Sequence, residues 1–138
     1  LPDDIRQFDS GAVRSNDVDH LRFDLIPPVP LRRLAARYGM GAEKYGDHNY
    51  LSGIPYSNIL NHVENHINKL KVKLAKGITV AEDDDDDLAA IAWGAFAIMQ
   101  FDAMGRRQEL NDLTPLNGPT GPTFHELFPN DKEPEVVA

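Results

Sequence analysis

The side chains whose types and spacing could do chemistry fall in three stretches of this 138-residue chain. The first is the acid run EDDDDD at 82–87, which continues directly into the most apolar helical pattern of the sequence. An acidic start suits a helix dipole, and surplus charge is ordinarily solvated. Here, however, Asp83 lies one helical turn before Asp86 and Asp87, and Asp87 shares a face with Ile91 and Ile98. Carboxylates at that spacing can share a metal ion, whereas buried acids without a cation repel each other and resist ionisation. The second stretch contributes His62, Glu64 and His66, with the histidines spaced as a possible metal pair on one helix face. The third is GAEKYGDHNY, 41–50, where Glu43 offers another carboxylate and Lys44 a point charge for a phosphate. Asn49 and Tyr50 there could hydrogen-bond to, or stack on, a nucleotide.

Positioning these groups requires helices. From Pro30, the residues Leu31, Leu34, Ala35, Tyr38, Ala42 and Tyr45 recur at helical spacing, with Gly39, Gly41 and Gly46 expected to bend or weaken the element. Ser57 is the expected N-cap of a second helix, whose seam is Leu60, Val63, Ile67, Leu70 and Leu74. The third helix follows the acid run, with Leu88, Ile91, Ala95, Ile98 and Met99 on one side and Arg106 and Arg107 at its end. Residues 1–29 read as an arm laid over the body, and 111–138 as an extended tail rich in Pro and Gly with an apolar cluster at Phe124, Leu127 and Phe128. The expected fold is therefore an all-α helical bundle over 1–110. Its uncovered apolar faces, the Ala-rich third helix above all, call for a homodimer or homotetramer.

Composition narrows the chemistry further. With 14 Lys and Arg against 22 Asp and Glu, the net charge of −8 repels a polyphosphate backbone, so nucleic acid is not the expected partner. The chain has no cysteine, which removes disulfides, thiolate metal sites and cysteine nucleophiles and makes the cytosol the expected compartment. No apolar run reaches the roughly 20 residues that span a bilayer. Neither a GxxxxGK phosphate loop nor a GxGxxG fingerprint is present.

The order of phrases GAVRS, RFDLIP, GAEKYGDHNY, LSGIPYSNILNHVENHI and DDDLAAIAWGAFAI resembles the phage dATP/dGTP diphosphohydrolase family, including the MazZ-type enzymes related to the MazG and HisE all-α pyrophosphohydrolases. The resemblance covers about residues 11 to 102. It implies a MazG-like bundle that uses Mg²⁺ or Mn²⁺ to hydrolyse a purine deoxynucleoside triphosphate, dGTP or dATP, to the monophosphate and pyrophosphate. On that reading Lys44, Tyr45, Gly46 and Asn49 match the family's phrase around KYG, His66 its helix-two histidine, and Asp86 the acid before the third helix. The chain departs from the family in having Asn65, Tyr50 and Asp87 where relatives carry Arg, Trp and His, which makes its ligand set richer in carboxylate.

The metal candidates are then Glu43, His66, Asp83, Asp86 and Asp87, and the catalytic candidates Glu43, Glu64, His66 and Asp86. The substrate-binding candidates are Arg14, Arg22, Asp24, Lys44, Asn49 and Tyr50, with Asp24 placed to accept from a guanine edge and the arm as a lid. The competing reading is a non-catalytic helical scaffold that binds nucleotide or calcium.

Overall fold

The computed structural model describes residues 1–15, 21–80, 86–116, 118 and 120–135. Its internal contacts divide the chain into two units, Leu1–Arg32 and Arg33–Ala138.

In the first unit, the segment expected to be an arm without regular structure contains a small hairpin. Strands β1 (Ile5–Gln7) and β2 (Val13–Ser15) pair antiparallel with Arg6 opposite Arg14. The turn between them closes through Phe8 N–H to Ala12 O at 2.8 Å and Gly11 N–H to Phe8 O at 2.8 Å. Gly11 takes a φ of 90°, a conformation that costs glycine least. A single 3₁₀ turn at Phe23–Leu25 follows, and then the first residues of α1 (Pro28–Tyr45).

The second unit is built on two long antiparallel helices, α2 (Tyr56–Ala75) and α3 (Asp87–Ala103). Helix α2 turns inward a stripe at 3-4 spacing: Tyr56, Ile59, Val63, His66, Leu70 and Lys73 are buried or half-buried. Of the expected seam only Val63 and Leu70 belong to this stripe. Leu60, Ile67 and Leu74 point to solvent. Helix α3 presents Asp87, Ala90, Gly94, Ala97 and Phe101, so its inward face is mostly small residues, while the expected Leu88, Ala95 and Met99 face out.

Close approach of the two backbones explains the reversal. A Cβ on Gly94 would drive into Val63 Cγ2 and come within 3.4 Å of Ile59 Cγ2. Larger side chains cannot occupy that face, and hydrophobicity alone does not reveal this.

Helix α1 runs unbroken through Gly39 and Gly41, and Leu34 is its one buried residue. Helix α2 starts two residues earlier than expected, with Pro55 rather than Ser57 at its N-cap. Ser57 lies inside the first turn, where its N–H donates to Asp112 Oδ1 at 2.9 Å and its hydroxyl to Asp112 Oδ2. A distant carboxylate thus supplies the cap.

The start of the expected tail is therefore part of the body. Leu110, at the end of the short α4 (Arg107–Leu110), is buried in the core with Tyr56, Ile59, Ala97 and Phe101, and Leu113 packs against them. A last short helix, α5 (Phe124–Leu127), is capped by Thr123, and Phe124 sits 5.0 Å from Phe128, both rings partly exposed. Among the described residues no helix is long and apolar enough to cross a membrane.

Candidate functional site

Along the α2–α3 interface the chemistry changes from apolar to charged. At one end Tyr56 stacks on Phe101, with centroids 6.3 Å apart. At the other, the stripe that carries Ile59 and Val63 reaches His66 and Lys73, which meet Asp87 in the first turn of α3.

Asp87 is 1% exposed, with His66 Nδ1 2.7 Å from its Oδ1 and Lys73 Nζ 2.7 Å from its Oδ2. The Lys73 ammonium is thus the partner of the buried Oδ2, as the His66 ring is of Oδ1. Burial pushes the Asp87 carboxyl upward, but Lys73 and His66 outweigh it and hold the group below the usual carboxylate range.

Asp86, the N-cap of α3, accepts from Ala89 N–H at 3.1 Å. Arg33 of α1 grips the same carboxylate with both arms of its guanidinium, Nε to Oδ2 and Nη2 to Oδ1, each 2.7 Å. Burial again opposes ionisation and the Arg33 bonds overcome it, so this carboxyl too is held low.

His66 also faces His62 one turn earlier, Nε2 to Nε2 at 3.1 Å. His62 is the exposed member of the pair and lines a cleft of about 1070 Å³. That volume lies at the upper end of the range for small-molecule sites. The cleft is bounded by the C-terminal half of α1, the turn at 46–50, the first half of α2 and Trp93 of α3.

Its polar lining includes Arg37, Glu43, Lys44, Asn49, Asn58 and His62. One wall is aromatic: Tyr50 meets Tyr38 at 6.0 Å and Trp93 at 5.9 Å, and the buried Phe101 backs it at 6.0 Å, each edge to face. Burial, then the neighbouring Tyr50, pushes the Tyr38 phenol up to about 12, so it stays a neutral donor. Arg106 braces the chain just beyond the turn through Leu51 O and Ser52 O. Gly53 is required beside it, with φ 117° and Arg106 Nη2 2.6 Å from where a Cβ would stand.

The structure thus gathers the expected residues into two groups. Glu43, Lys44, Asn49 and Tyr50 share the cleft, and His66, Asp86 and Asp87 form the charged end of the helix pair. Glu64 lies beside the cleft in a shallow hollow on the outer face of α2. Arg14, Arg22 and Asp24 belong to the Leu1–Arg32 unit, where Arg22 clasps Asp24 at 2.8 and 2.9 Å and holds its carboxyl low. Asp83 lies outside the described residues.

Sequence motifs do not mark Arg33, Lys73 or Trp93, and they mark His62 only as half of a possible metal pair. Lys73 had a signal, since it continues the spacing 59-63-66-70 onto the inward face. Arg33 had none, because its partner is 53 positions away.

Whether these groups fit a divalent cation turns on the acids. Among the described residues no three His, Asp or Glu side chains converge. Asp86 and Asp87 are each already neutralised by cationic side chains. The described residues therefore do not by themselves make a metal centre.

Residues 10–112 match a family described as dATP/dGTP diphosphohydrolase, N-terminal. The match takes in all three long helices and ends at Asp112, the residue that caps α2. No curated protein and no solved structure matches the chain.

Proposed function

The chain belongs to the dATP/dGTP diphosphohydrolase family, and from that premise we propose that it hydrolyses dGTP and dATP to the monophosphate and pyrophosphate in the cleft lined by Lys44, Tyr50 and His62. The observation that carries the reading is the make-up of that cleft. Cations for phosphates (Arg37 and Lys44), an aromatic wall for a purine (Tyr38, Tyr50 and Trp93) and an imidazole for proton transfer line one space. Lys44 and Arg37 would hold the triphosphate as charge-assisted partners, and Asn49 and Asn58 offer amides to sugar or base.

Mg²⁺ or Mn²⁺ is part of the proposal as the ion that neutralises the triphosphate. Glu43, exposed at the cleft, and Asp83 of the acid run are the candidates to receive it. Incubation with each dNTP and Mn²⁺ is expected to give purine deoxynucleoside monophosphate with pyrophosphate as the only small product. Intact triphosphates would leave a binding protein, and release of inorganic triphosphate or stepwise phosphate would name a different hydrolase.

Association belongs to the same reading. On the outer face of α3, Leu88 and Phe96 are each 45% exposed and Met99 57%. A second copy covering that face would remove this apolar surface from water. Light scattering at micromolar concentration is expected to return a dimer or tetramer mass, lowered by Phe96→Glu. A monomer mass for the unaltered chain overturns the association.

A further inference from the structure

We propose that Arg106 is a positioning residue for base selection: it clamps the chain beside Tyr50, so that the aromatic wall stands rigid and favours a two-ring base over a one-ring base. The inference deepens the pyrophosphohydrolase reading of the cleft and rests on it.

The segment between α1 and α2 is a run of tight steps. Its backbone closes through Asn49 N–H to Gly46 O at 3.3 Å, Leu51 N–H to His48 O at 3.0 Å and Gly53 N–H to Tyr50 O at 3.0 Å. His48 takes a φ of 59° there, the one non-glycine with positive φ among the described residues. A residue with a Cβ resists that conformation, so the turn persists only with support from outside itself.

Arg106 supplies that support from the end of α3. Its backbone N–H donates to Phe101 O at 2.9 Å, which ties it to the last turn of the helix. Its guanidinium donates through Nη1 to Leu51 O and through Nη2 to Ser52 O, the two residues that follow Tyr50. Nε and Nη2 also donate to Glu109, at 3.0 and 2.9 Å, and this second pair fixes the plane of the group. The fork reaches the carbonyls because Gly53 has no Cβ, which would stand 2.6 Å from Nη2. A lysine carries the charge without the fork, so it cannot hold two carbonyls and a carboxylate in one plane.

The clamp and the wall share a support. Phe101, fully buried, has the Arg106 guanidinium 5.5 Å from its ring centre and the Tyr50 ring 6.0 Å from it. Tyr50 is therefore held by its ring against Phe101 and by the two carbonyls that follow it. Stacking on a held ring grows with overlap, and a purine overlaps more than a pyrimidine. The purine thus takes more of its binding from the wall, and loosening the wall costs it more.

The test uses the full chain with dGTP, dATP, dCTP and dTTP in Mn²⁺, at a temperature where each variant is folded by circular dichroism. The readout is the purine-to-pyrimidine ratio of kcat/KM. A variant that merely folds less well has fewer active molecules, which lowers every kcat alike and leaves that ratio unchanged. Arg106→Lys and Arg106→Gln are expected to raise KM for dGTP and dATP by about tenfold, to change kcat less, and to narrow the ratio by about five- to tenfold. Glu109→Gln alters an exposed carboxylate, loosens the guanidinium plane and is expected to narrow the ratio by a few-fold. An unchanged ratio in Arg106→Lys overturns the proposal, as does an unchanged ratio in Glu109→Gln where the Arg106 variants do not fold. An unaltered chain that treats purine and pyrimidine alike overturns it too.

A second readout does not depend on turnover. Trp93, the chain's single tryptophan, stands 5.9 Å from Tyr50 in the wall, so its fluorescence reports a base bound there. Titration with dGMP and dCMP, which hold no pyrophosphate to release, is expected to give the lower Kd for dGMP, with the gap narrowed in Arg106→Lys. If the unaltered chain releases no pyrophosphate from any triphosphate, the hydrolase reading falls and the titration alone decides the role of Arg106. Equal Kd values in the unaltered chain, or a gap that the substitution leaves unchanged, overturn it.

Discussion

Asp87→Ala is expected to lower the free energy of unfolding by about 3–5 kcal/mol, the usual cost of removing one member of a buried, hydrogen-bonded charge cluster. The side chain is 1% exposed, and the two groups it holds are themselves inward, His66 at 8% and Lys73 at 20% side-chain exposure. Alanine removes the carboxylate that both the His66 ring and the Lys73 ammonium face. The penalty of burying those groups without it, more than lost attraction, is what unfolding experiments would read. The measurement is the urea midpoint at unchanged slope, compared between Asp87→Ala and Asp87→Asn. Asparagine keeps an acceptor for His66 and is expected to fall between. A midpoint for alanine displaced by less than about 1 kcal/mol would show that the cluster contributes little.

The pH dependence of that difference has a definite sign. The carboxyl of Asp87 is held below its unfolded value, so its contribution is complete above roughly pH 4 and is lost as pH falls through the lower, folded-state value. The gap between wild type and Asp87→Ala should therefore be widest near neutrality and close in acid.

The position of Asp87 in an acid run entering an apolar helix, and its register with Ile91 and Ile98, pointed inward, and the structure places it there. The spacing that linked His62 to His66 likewise put the two rings on one face, 4.5 Å apart. What spacing could not supply was Arg33, which comes from another helix. Lys73 stands in the inward register, but a lysine on a helix ordinarily reads as solvated.

The helices themselves were legible from period, but their inward faces were less so. On α3 the large apolar residues advertised one side, whereas the packed side is the one where Ala90, Gly94 and Ala97 admit α2. Burial there follows from how near two backbones can come, a pairwise property absent from either helix alone. The hairpin was missed for a related reason. Its three-residue strands bury almost nothing, so they leave no alternating pattern to read.

Phe101→Ala, the second large effect, tests the opposite end of the helix pair and should separate substrate holding from proton transfer. Phe101 is fully buried, and its ring supports three neighbours: Tyr50 at 6.0 Å, Tyr56 at 6.3 Å and the Arg106 guanidinium at 5.5 Å. Truncating it should cost about 3–5 kcal/mol, from lost burial and the cavity left behind. Phe101→Leu, which refills most of the volume, should cost less. The functional consequence follows from where those neighbours stand. Tyr50 forms the aromatic wall of the cleft, and Arg106 holds the carbonyls of Leu51 and Ser52 just after it. The charged chain from Asp87 to His62 touches none of them. Below the melting temperature the variant is therefore expected to show a raised KM for purine substrate with a smaller change in kcat. A fall in kcat at unchanged KM would mean that the wall does not touch the base, and that the aromatic cluster serves only to join α1 and the turn to the helix pair.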